Sequence, residues 1–363
     1  MRPLSRETNR LLNLDEYRRG SIELASRPQF LVIELTQTCN LRCPMCRPDE
    51  SATANRVMAP ELFERVAAEL FPLAGMVDLR GWGESLILPN IITNIDKAAS
   101  FGTRIRFVTN LSFRRPAVLE KLAEHGCQVA ISIDAADREL FRSLRGGARL
   151  DLVASNIDVL TSAYEKRFGS TERLYFTTTV QKPALWDLPN IIDFAADHRI
   201  TEVRLFSVTV EDDSPLGIEN ENDRMDEALR NAAERAKQRG VQLIAGTRLG
   251  SMLENRSDIP ACLHPWAYAY ISYSGAVGFC DHLVGIPGEP YHLGHLQMSS
   301  FEEIWNGPDW QALRREHVGN RDPKAPKFHE CGWCYKNRYI DFEHYFDPEA
   351  NKRIVILSSR CNE

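Results

Sequence analysis

Residues 36–48 read Thr-Gln-Thr-Cys-Asn-Leu-Arg-Cys-Pro-Met-Cys-Arg-Pro and place Cys39, Cys43 and Cys46 in one short loop. The apolar run of residues 30–35 directly before it has the length of a buried strand. Three thiolates cannot complete the four-ligand tetrahedral shell of a structural zinc. They can bind three irons of a 4Fe–4S cluster and leave the fourth iron open for a ligand that reacts. The spacing therefore predicts an open iron–sulfur cluster after the first strand.

A second group of four cysteines lies near the C-terminal end: Cys262, Cys280, Cys331 and Cys334. Four thiolates can ligate a second iron–sulfur cluster completely, and a four-thiolate zinc site is the alternative. The N-terminal residues have no apolar segment of the signal-peptide type, which predicts a cytoplasmic protein. In that reducing compartment, clustered cysteines are more often metal ligands than disulfides.

The composition is that of an ordinary globular protein. The chain has 363 residues, 43% hydrophobic and 26% charged, with a formal net charge of −6. This suits one large α/β unit with a small appendage. A negative balance without runs of like charge argues against a nucleic-acid partner, which requires a basic face. No stretch approaches the roughly 18 apolar residues of a membrane span, so no membrane association is predicted.

Alternating strands and helices follow the cysteine loop. Strands are predicted over residues 30–35, 76–80, 104–109, 128–134, 174–181 and 202–208, with helices at 60–71, 90–101, 115–125, 148–166, 188–198 and 221–239. Six such units predict a parallel α/β sheet, either open and doubly wound or barrel-like. No Gly-x-Gly-x-x-Gly follows the first strand, which removes the main support for a dinucleotide-binding sheet. The cysteine loop then lies at the carboxyl edge, where such sheets place their chemistry.

The alternation ends near residue 250. Ser274-Gly275 predicts a hairpin between residues 268–273 and 276–280, and Ser300 with Glu303 forms a capping box that opens a short helix. The first 28 residues are predicted to be partly helical, with Leu11, Leu12, Leu14 and Tyr17 as a weak apolar stripe. We expect four units: an N-terminal extension (1–28), the α/β unit (29–250), a small cysteine-bearing module (251–340) and a C-terminal tail (341–363).

The loop Cys39-x3-Cys43-x2-Cys46 resembles the signature of the radical S-adenosylmethionine (SAM) enzymes. After the second strand, Gly81-Trp82-Gly83-Glu84 is similar to the glycine-glycine-glutamate motif of that family. The resemblance implies that backbone at this motif receives the amino group of SAM, with small residues allowing close approach. Met45 occupies the apolar position that lies near the adenine in this family, although ordinary packing would explain it equally well.

Further residues extend the resemblance to later strands. Ser132 and Asp134 look like the family's Ser-x-Asp segment near the ribose and carboxylate of SAM, and Arg145 resembles an arginine that pairs with that carboxylate. A strand end with a helix cap is the alternative for Ser132 and Asp134, and a solvated surface arginine is the alternative for Arg145. Thr109-Asn110 ends the third strand as a Thr-Asn pair does in relatives, which makes Asn110 a weaker candidate for binding SAM.

The second cysteine set resembles the twitch form of the SPASM auxiliary-cluster domain. Its spacing is Cys262-x12-Gly275-x4-Cys280, followed by Cys331-x2-Cys334. The full SPASM form has further cysteines where this chain has Ile340 and His344, so only one auxiliary cluster is expected. The resemblance implies a partial (βα)6 TIM-like barrel with a small C-terminal β-hairpin-plus-helix iron–sulfur domain. It also implies two 4Fe–4S clusters, one that binds SAM and one auxiliary.

The implied chemistry is radical chemistry. One electron, from a donor such as flavodoxin or ferredoxin, leads to cleavage of SAM to a 5′-deoxyadenosyl radical, which takes a hydrogen atom from a substrate C–H bond. The single auxiliary cluster resembles that of 2-deoxy-scyllo-inosamine dehydrogenases of antibiotic biosynthesis. That analogy favours dehydrogenation of a secondary alcohol on a sugar or aminocyclitol, with the auxiliary cluster as electron acceptor. Polar residues at alternate strand positions could bind hydroxyls or be satisfied core groups: Arg80, Thr177, Thr179, Gln181 and Arg204.

Three alternatives remain open. An epimerase would need a hydrogen donor, for which Cys361 and Cys127 are candidates, although Cys127 would also suit an apolar core. A peptide-modifying radical enzyme should carry a peptide-binding winged-helix domain, for which the 28 residues before the first strand are short. A non-catalytic metal-binding protein would not need the Gly-Trp-Gly-Glu and Ser-x-Asp segments.

Overall fold

The computed structural model describes residues 4–46, 55–210, 213–251, 253, 262–280, 291–319, 324–325, 327–328, 330–338 and 355–358. The fold is built on a single sheet. Its strands are β1 (Phe30–Ile33), β2 (Met76–Asp78), β3 (Arg104–Thr109), β4 (Gln128–Ser132), β5 (Leu174–Val180), β6 (Glu202–Ser207), β7 (Gln242–Ala245), β8 (Tyr268–Ile271), β9 (Ala276–Gly278), β10 (His292–His295) and β11 (Val355–Ser358). They lie in the order β10-β9-β8-β1-β2-β3-β4-β5-β6-β7-β11.

The described residues form twelve α-helices, and those between β1 and β7 lie on one face of the sheet. They are α1 (Arg6–Arg19), α2 (Pro60–Leu70), α3 (Ile91–Ser100), α4 (Pro116–Glu124), α5 (Arg138–Leu144), α6 (Leu150–Phe168), α7 (Leu188–Asp197), α8 (Asn222–Arg239), α9 (His264–Ala267), α10 (Phe301–Trp305), α11 (Pro308–His317) and α12 (Cys331–Asn337). In the part of the chain that is described, no helix has both the length and the apolar character needed to cross a membrane.

The predicted parallel α/β sheet is confirmed. Strands β1 to β7 pair in parallel in chain order, with helices in the connections. The prediction did not include β7, because four residues between a long polar helix and an irregular segment give little periodicity. The β11 strand, in the segment predicted as a C-terminal tail, pairs antiparallel with β7.

The predicted hairpin continues the same sheet. β8 pairs in parallel with β1, from Phe30 opposite Tyr268 to Ile33 opposite Ile271. β9 then pairs antiparallel with β8, and β10 with β9. The turn between β8 and β9 contains Gly275 with a φ of 94°, a left-handed conformation that glycine adopts without strain. The cysteine-bearing module is therefore joined edge to edge to the parallel sheet.

The two faces of the sheet differ in chemistry. Val77, Phe107, Phe176 and Leu205 belong to the large apolar core beneath the helices. Their neighbours point to the opposite face because side chains alternate along a strand. We call this opposite side the inner face. At the amino ends of the strands it is closed by a separate apolar cluster formed by Leu14, Phe30, Val32, Met76, Leu263, Ala267, Tyr268 and Tyr270.

Helix α1 packs through buried polar residues as well as through Leu14 and Tyr17 of the predicted apolar stripe. Leu11 is 53% exposed, whereas Asn9 and Asn13 are fully buried. The Asn13 amide donates to Ser26 Oγ and to the backbone oxygen of Trp266, both at 2.7 Å. The extension therefore docks by satisfying buried polar groups of the main unit, which hydrophobic periodicity does not reveal.

A pair of variants on this helix tests the polar docking. Asn13→Ala should lower the free energy of unfolding by about 1–3 kcal/mol because it leaves buried partners without a hydrogen bond. Leu11→Ala, two residues away, should change it by less than about 0.5 kcal/mol. Urea unfolding followed by circular dichroism measures both. An equal loss in the two variants would contradict this account of how α1 docks.

Candidate active site

The three-cysteine loop follows β1 at the carboxyl edge of the sheet. Cys39 and Cys43 are half-buried and Cys46 is exposed. Two N–H groups reach the Cys39 sulfur, from the Leu41 backbone at 3.5 Å and from the Asn110 side chain at 3.7 Å. Such donors stabilise a thiolate, which is the form that binds a metal.

Burial controls the protonation of these thiols. It raises the pKa of Cys43 to about 11, and it also raises the pKa of Cys39. The nearby Arg145 guanidinium opposes the shift at both sulfurs. Both thiols are therefore protonated near neutral pH until a metal displaces the proton.

Arg145 is held beside the loop and is not a solvated surface arginine. Its Nη1 lies 2.9 Å from Asp134 Oδ2, and its side chain is only 11% exposed. Burial alone would lower the pKa of Arg145, but Asp134, Cys43 and Cys46 raise it overall. The other oxygen of Asp134 accepts from the backbone N–H of Thr179 at 2.8 Å. Asp134 is therefore not merely a helix cap at the end of a strand, because it forms an ion pair with Arg145 next to the cysteine loop.

The backbone at Gly83 and the backbone at Gly146 each pack closely against the three-cysteine loop. A Cβ on Gly83 would lie 2.4 Å from the backbone oxygen of Thr38, and one on Gly146 would lie 2.4 Å from the backbone of Arg42. The backbone N–H of Gly83 donates to the Thr36 oxygen at 3.1 Å, and that of Glu84 donates to the Thr38 oxygen at 3.0 Å. Both glycines therefore allow other segments to reach the cysteine loop.

Gly81 and Glu84 pack against other residues of the protein. A Cβ on Gly81 would lie 2.3 Å from the Glu34 side chain. The buried Glu84 carboxylate accepts from the Leu86 backbone N–H, the Thr109 hydroxyl and the Asn110 backbone N–H. Burial raises the pKa of Glu84 to about 7, although these donors oppose the shift. Glu84 thereby ties the end of β3 to the motif that carries it.

Asn110, Met45 and Ser132 complete the predicted set around the loop. The Asn110 amide donates to Asn40 Oδ1 at 3.0 Å as well as to the Cys39 sulfur, so it lies against the loop itself. Met45 is half-buried and packs on the main apolar core. Ser132 is half-buried at the end of β4, opposite Thr177 on the inner face.

The four C-terminal cysteines are also brought together. Burial raises the pKa of Cys331, and the neighbouring thiols of Cys262, Cys280 and Cys334 raise it further. The Cys262 backbone N–H donates to the Tyr335 hydroxyl at 2.7 Å, which links the segment before α9 to α12. Cys331 and Cys334 lie on α12 itself. Sequence spacing alone could not place this helix against the hairpin.

The numbers of thiols fit iron–sulfur clusters. Cys39, Cys43 and Cys46 can ligate three irons of a cluster and leave the fourth open, and the four C-terminal thiols can ligate a second cluster fully. Within the described ranges, Asp96, Glu124 and His125 are the one other group of three potential ligand atoms, within 4.8 Å of one another.

The two cysteine sites lie at opposite ends of the strands that join them. The three-cysteine loop follows β1, whereas Cys262 precedes β8, which runs parallel to β1. Cys280 follows the antiparallel β9 and so returns to the end where β8 begins. β1 and β8 pair over four residues, about 13 Å of strand. The inner face of the sheet thus lies between the two sites.

A charged layer crosses this inner face. Asp78 is buried, with Arg80 Nε at 2.9 Å and Arg106 Nη1 at 3.6 Å from its Oδ2. Arg204 Nε lies 2.6 Å from Glu202 Oε1. Arg80 and Arg204 were predicted from the sequence, whereas Asp78, Arg106 and Tyr175 were not. Their alternation with apolar residues along β2, β3 and β5 is the signal that could have found them.

The remaining polar candidates have mixed placements. Thr177 and Thr179 are half-buried on β5, whereas Gln181 is fully buried and donates to the Thr179 oxygen at 3.4 Å. Cys127 lies in the helix-side core at the start of β4, away from the carboxyl edge, and burial raises its pKa to about 12. Cys361, Ile340 and His344 lie outside the described residues.

Comparisons with known proteins agree with this geometry. The sequence profile of the radical SAM superfamily matches residues 33–195. The profile of SPASM, an iron-sulfur cluster-binding domain, matches residues 262–335. These two ranges contain all seven cysteines of the two sites.

Similar proteins cover most of the chain. An AdoMet-dependent heme synthase of Methanosarcina barkeri is 24% identical over 354 residues, covering 86% of this chain and 90% of that protein. The subtilosin biosynthesis protein AlbA of Bacillus subtilis is 24% identical over 318 residues, covering 85% of this chain and 67% of AlbA. The crystal structure of Streptococcus suis SuiB aligns with a TM-score of 0.64 at 17% identity, covering 89% of this chain and 74% of SuiB. At that identity the structural likeness supports the fold alone.

Proposed function

We propose that this chain, which belongs to the radical SAM superfamily and carries a SPASM domain, dehydrogenates a secondary alcohol of a small polar molecule. Its cofactors are a 4Fe–4S cluster with SAM and auxiliary iron–sulfur. The observation that carries the proposal is the placement of two thiol sites at opposite ends of β1 and β8, with a polar inner face between them. A substrate on this face would lie between the site of hydrogen abstraction and an electron acceptor.

In this proposal Cys39, Cys43 and Cys46 hold the SAM-binding cluster. When bound, the reduced cluster and SAM supply the radical that abstracts hydrogen from the substrate. The chain orients SAM through the backbone of residues 81–83, which is packed against the loop. Arg145, fixed by Asp134, presents its guanidinium beside the loop, where it can pair with the carboxylate of SAM.

Cys262, Cys280, Cys331 and Cys334 hold one auxiliary cluster in this proposal. Their four sulfurs would suffice to ligate it fully. When bound there, the cluster would supply an acceptor for the second electron of the oxidation, and the alcohol proton would leave to solvent. The boundaries 29–250 and 251–340 remain our proposal for the two functional units.

Anaerobic reconstitution tests the proposal. The protein should bind about eight irons per chain, cleave SAM when reduced, and convert an alcohol substrate to a product two hydrogens lighter. Deuterium at the oxidised carbon should appear in 5′-deoxyadenosine. Failure to cleave SAM would overturn the proposal as a whole.

A peptide substrate has specific support, and the epimerase alternative has a distinct product. AlbA is named for subtilosin biosynthesis, and SuiB has a structure bound to the precursor peptide SuiA, so a peptide substrate is the second candidate. Deuterium transfer from a labelled precursor peptide encoded near this chain would favour it. An epimerase would take up one solvent deuterium at a carbon without net oxidation, which mass spectrometry of the product distinguishes.

A glycine pair tests the SAM-binding wall. Gly83→Ala should weaken SAM binding at least about tenfold, because its Cβ would meet the Thr38 backbone oxygen at 2.4 Å and displace the loop. Gly75→Ala adds the same methyl group at an ordinary 3.6 Å contact with the Gln29 backbone oxygen and should leave binding unchanged. Equilibrium dialysis of SAM with the reconstituted proteins measures both. Equal SAM affinity in the two variants would show that the close contact between Gly83 and Thr38 is not needed for SAM binding.

A further inference from the structure

Glu34 is a buried carboxyl group that the proposed function does not use. It follows β1 directly, and because side chains alternate along a strand it comes after Phe30 and Val32 on the inner face. Glu34 is 0% exposed. Its backbone N–H donates to the Ile271 oxygen at 2.8 Å, which holds the residue against β8. A polar group at this depth is costly unless it is hydrogen-bonded, so its partners indicate its role.

Three N–H groups from separate segments meet at this carboxyl group. The Trp82 backbone donates to Oε1 at 3.1 Å. The Gln37 side chain donates to Oε2 at 3.2 Å, and the Tyr273 backbone donates to the same oxygen at 3.4 Å. Tyr270 on β8 also lies beside the group. Two carboxyl oxygens can serve all of these donors, which the single oxygen of an amide or a hydroxyl group cannot.

The bond to Trp82 fixes the direction of the peptide group between Gly81 and Trp82. This peptide bond is trans, so its carbonyl oxygen points away from its N–H group and therefore away from Glu34. Gly81 has no side chain, so its partial exposure belongs to backbone atoms. The Gly81 carbonyl oxygen is thus presented on the side opposite Glu34, where it can accept a hydrogen bond from an amino group.

Close packing reinforces this arrangement. A Cβ on Gly81 would lie 2.3 Å from Glu34 Cγ and 2.9 Å from Glu34 Oε1. The Glu34 side chain therefore fills the space beside Gly81, and a larger residue at position 81 would displace it. Glycine at this position is needed by the protein itself and not only by a bound ligand.

The second oxygen of Glu34 connects this motif to two other segments. Gln37 lies two residues before Cys39, at the start of the three-cysteine loop, and its Oε1 accepts from Arg56 at 2.9 Å. Tyr273 lies in the turn between β8 and β9, the hairpin of the cysteine-bearing module. One carboxyl group therefore joins residues 81–82, the cysteine loop and the hairpin.

We propose that Glu34 is a positioning residue, which sets the peptide group between Gly81 and Trp82 to receive the amino group of SAM and ties it to the hairpin. This inference rests on the role that the proposed function gives to residues 81–83 in orienting SAM. Glu34 acts through the peptide group and does not itself touch SAM, since its side chain is fully buried behind the motif.

Two variants test the proposal on the reconstituted protein. Glu34→Gln keeps the volume of the side chain but has one acceptor oxygen. The orientation that keeps most of the bonds turns this oxygen to Gln37 and Tyr273 and leaves the Trp82 N–H opposite an NH2 group. Glu34→Ala removes both oxygens. Equilibrium dialysis should show SAM binding about tenfold weaker in Glu34→Gln and at least as weak in Glu34→Ala, with iron content unchanged.

Glu16 provides the matched control. Its buried carboxyl group also accepts backbone N–H groups, from Ala25 at 2.7 Å and from Ser26 at 3.3 Å, but it lies in the N-terminal extension. Glu16→Gln should lower the melting temperature, as Glu34→Gln does, and leave SAM affinity unchanged. An equal loss of SAM affinity in Glu16→Gln would show a general effect of destabilisation and overturn the assignment to Glu34.

Amide hydrogen exchange gives a readout that does not need SAM. In the reconstituted protein without SAM, a peptide containing Trp82 should exchange faster in both Glu34 variants than in Glu16→Gln, because its N–H has lost its acceptor. Faster exchange with unchanged SAM affinity would show that the bond holds the motif without positioning it for SAM. That result would overturn the proposal.

The inference and the proposed function fail separately. If the unchanged protein binds no SAM, the proposed function is wrong. If the unchanged protein binds SAM and folded Glu34→Gln and Glu34→Ala bind it equally well, only the assignment of Glu34 is wrong.

Discussion

Alanine in place of Cys43 is expected to abolish reductive cleavage of SAM. Cys43 lies in the middle of the three-cysteine loop, half-buried beside Arg145. With two thiolates left, the loop cannot hold a cluster that keeps one iron open for SAM. The reconstituted variant should lose about four irons per chain and retain the four held at the other site. Iron analysis and chromatographic detection of 5′-deoxyadenosine measure the two effects.

Cys127→Ala provides the matched control, since it makes the same chemical change in the apolar core. Cys127 is fully buried at the start of β4 on the helix side of the sheet. Its loss should cost about 1 kcal/mol of stability through a small cavity, with iron content and SAM cleavage unchanged. Loss of SAM cleavage in Cys127→Ala, or its survival in Cys43→Ala, would contradict our assignment of the loop. Product analysis of the same variant tests the epimerase alternative. If Cys127 donated hydrogen, Cys127→Ala would lose epimerisation while SAM cleavage continued.

Local spacing made part of this molecule predictable from its sequence. The Cys39 loop and the motif from Gly81 to Glu84 are short stretches, and each follows a strand that hydrophobic periodicity identifies. Because parallel strands bring their carboxyl ends to one edge, the two motifs were expected to meet there. Gly83 packs directly against Thr36 and Thr38, as that expectation requires.

Local spacing and hydrophobic periodicity do not predict polar contacts between separate segments of the chain. The Arg145 guanidinium lies against Asp134 on another element, and the pattern around Arg145 would equally suit a surface turn. The Asn110 amide, a weaker candidate for binding SAM, donates to Asn40 and so lies against the cysteine loop, a contact that the sequence does not indicate. Such choices depend on which buried groups need a partner, and this is settled only when the chain has packed.

The inner face shows a different limit of prediction. Asp78 and Arg106 each lie in a short strand in which apolar residues alternate with them, and hydrophobic periodicity identifies such a strand without showing what its charged residue contacts. Only the register of β2 with β3, where Asp78 is opposite Arg106, shows that the two charges meet. The arrangement with Tyr175 then follows from the next two strands. Which polar side chains meet on such a face therefore depends on how the strands pair.

Cys331→Ala should separate the two halves of the proposed reaction. Cys331 is 8% exposed on α12, near the thiols of Cys262, Cys280 and Cys334. Three remaining thiols leave one iron of the cluster without a protein ligand, so the variant should keep at most a labile auxiliary cluster and bind up to about four irons fewer. SAM cleavage should continue because the three-cysteine loop lies at the opposite end of β1 and β8. The dehydrogenated product should fall to background, since the second electron has lost its acceptor.

Product analysis makes this variant decisive. A substrate radical without an acceptor should take one electron from the reductant added for SAM cleavage and one proton from solvent, so deuterated water should label recovered substrate in Cys331→Ala. Cys334→Ala removes a ligand one helical turn away on α12 and should behave in the same way. If the dehydrogenated product still forms in a variant in which iron analysis shows that the auxiliary cluster is lost, the auxiliary site does not receive the electron. Its thiols would then serve to join α12 to the hairpin, and the oxidant would have to come from outside this chain.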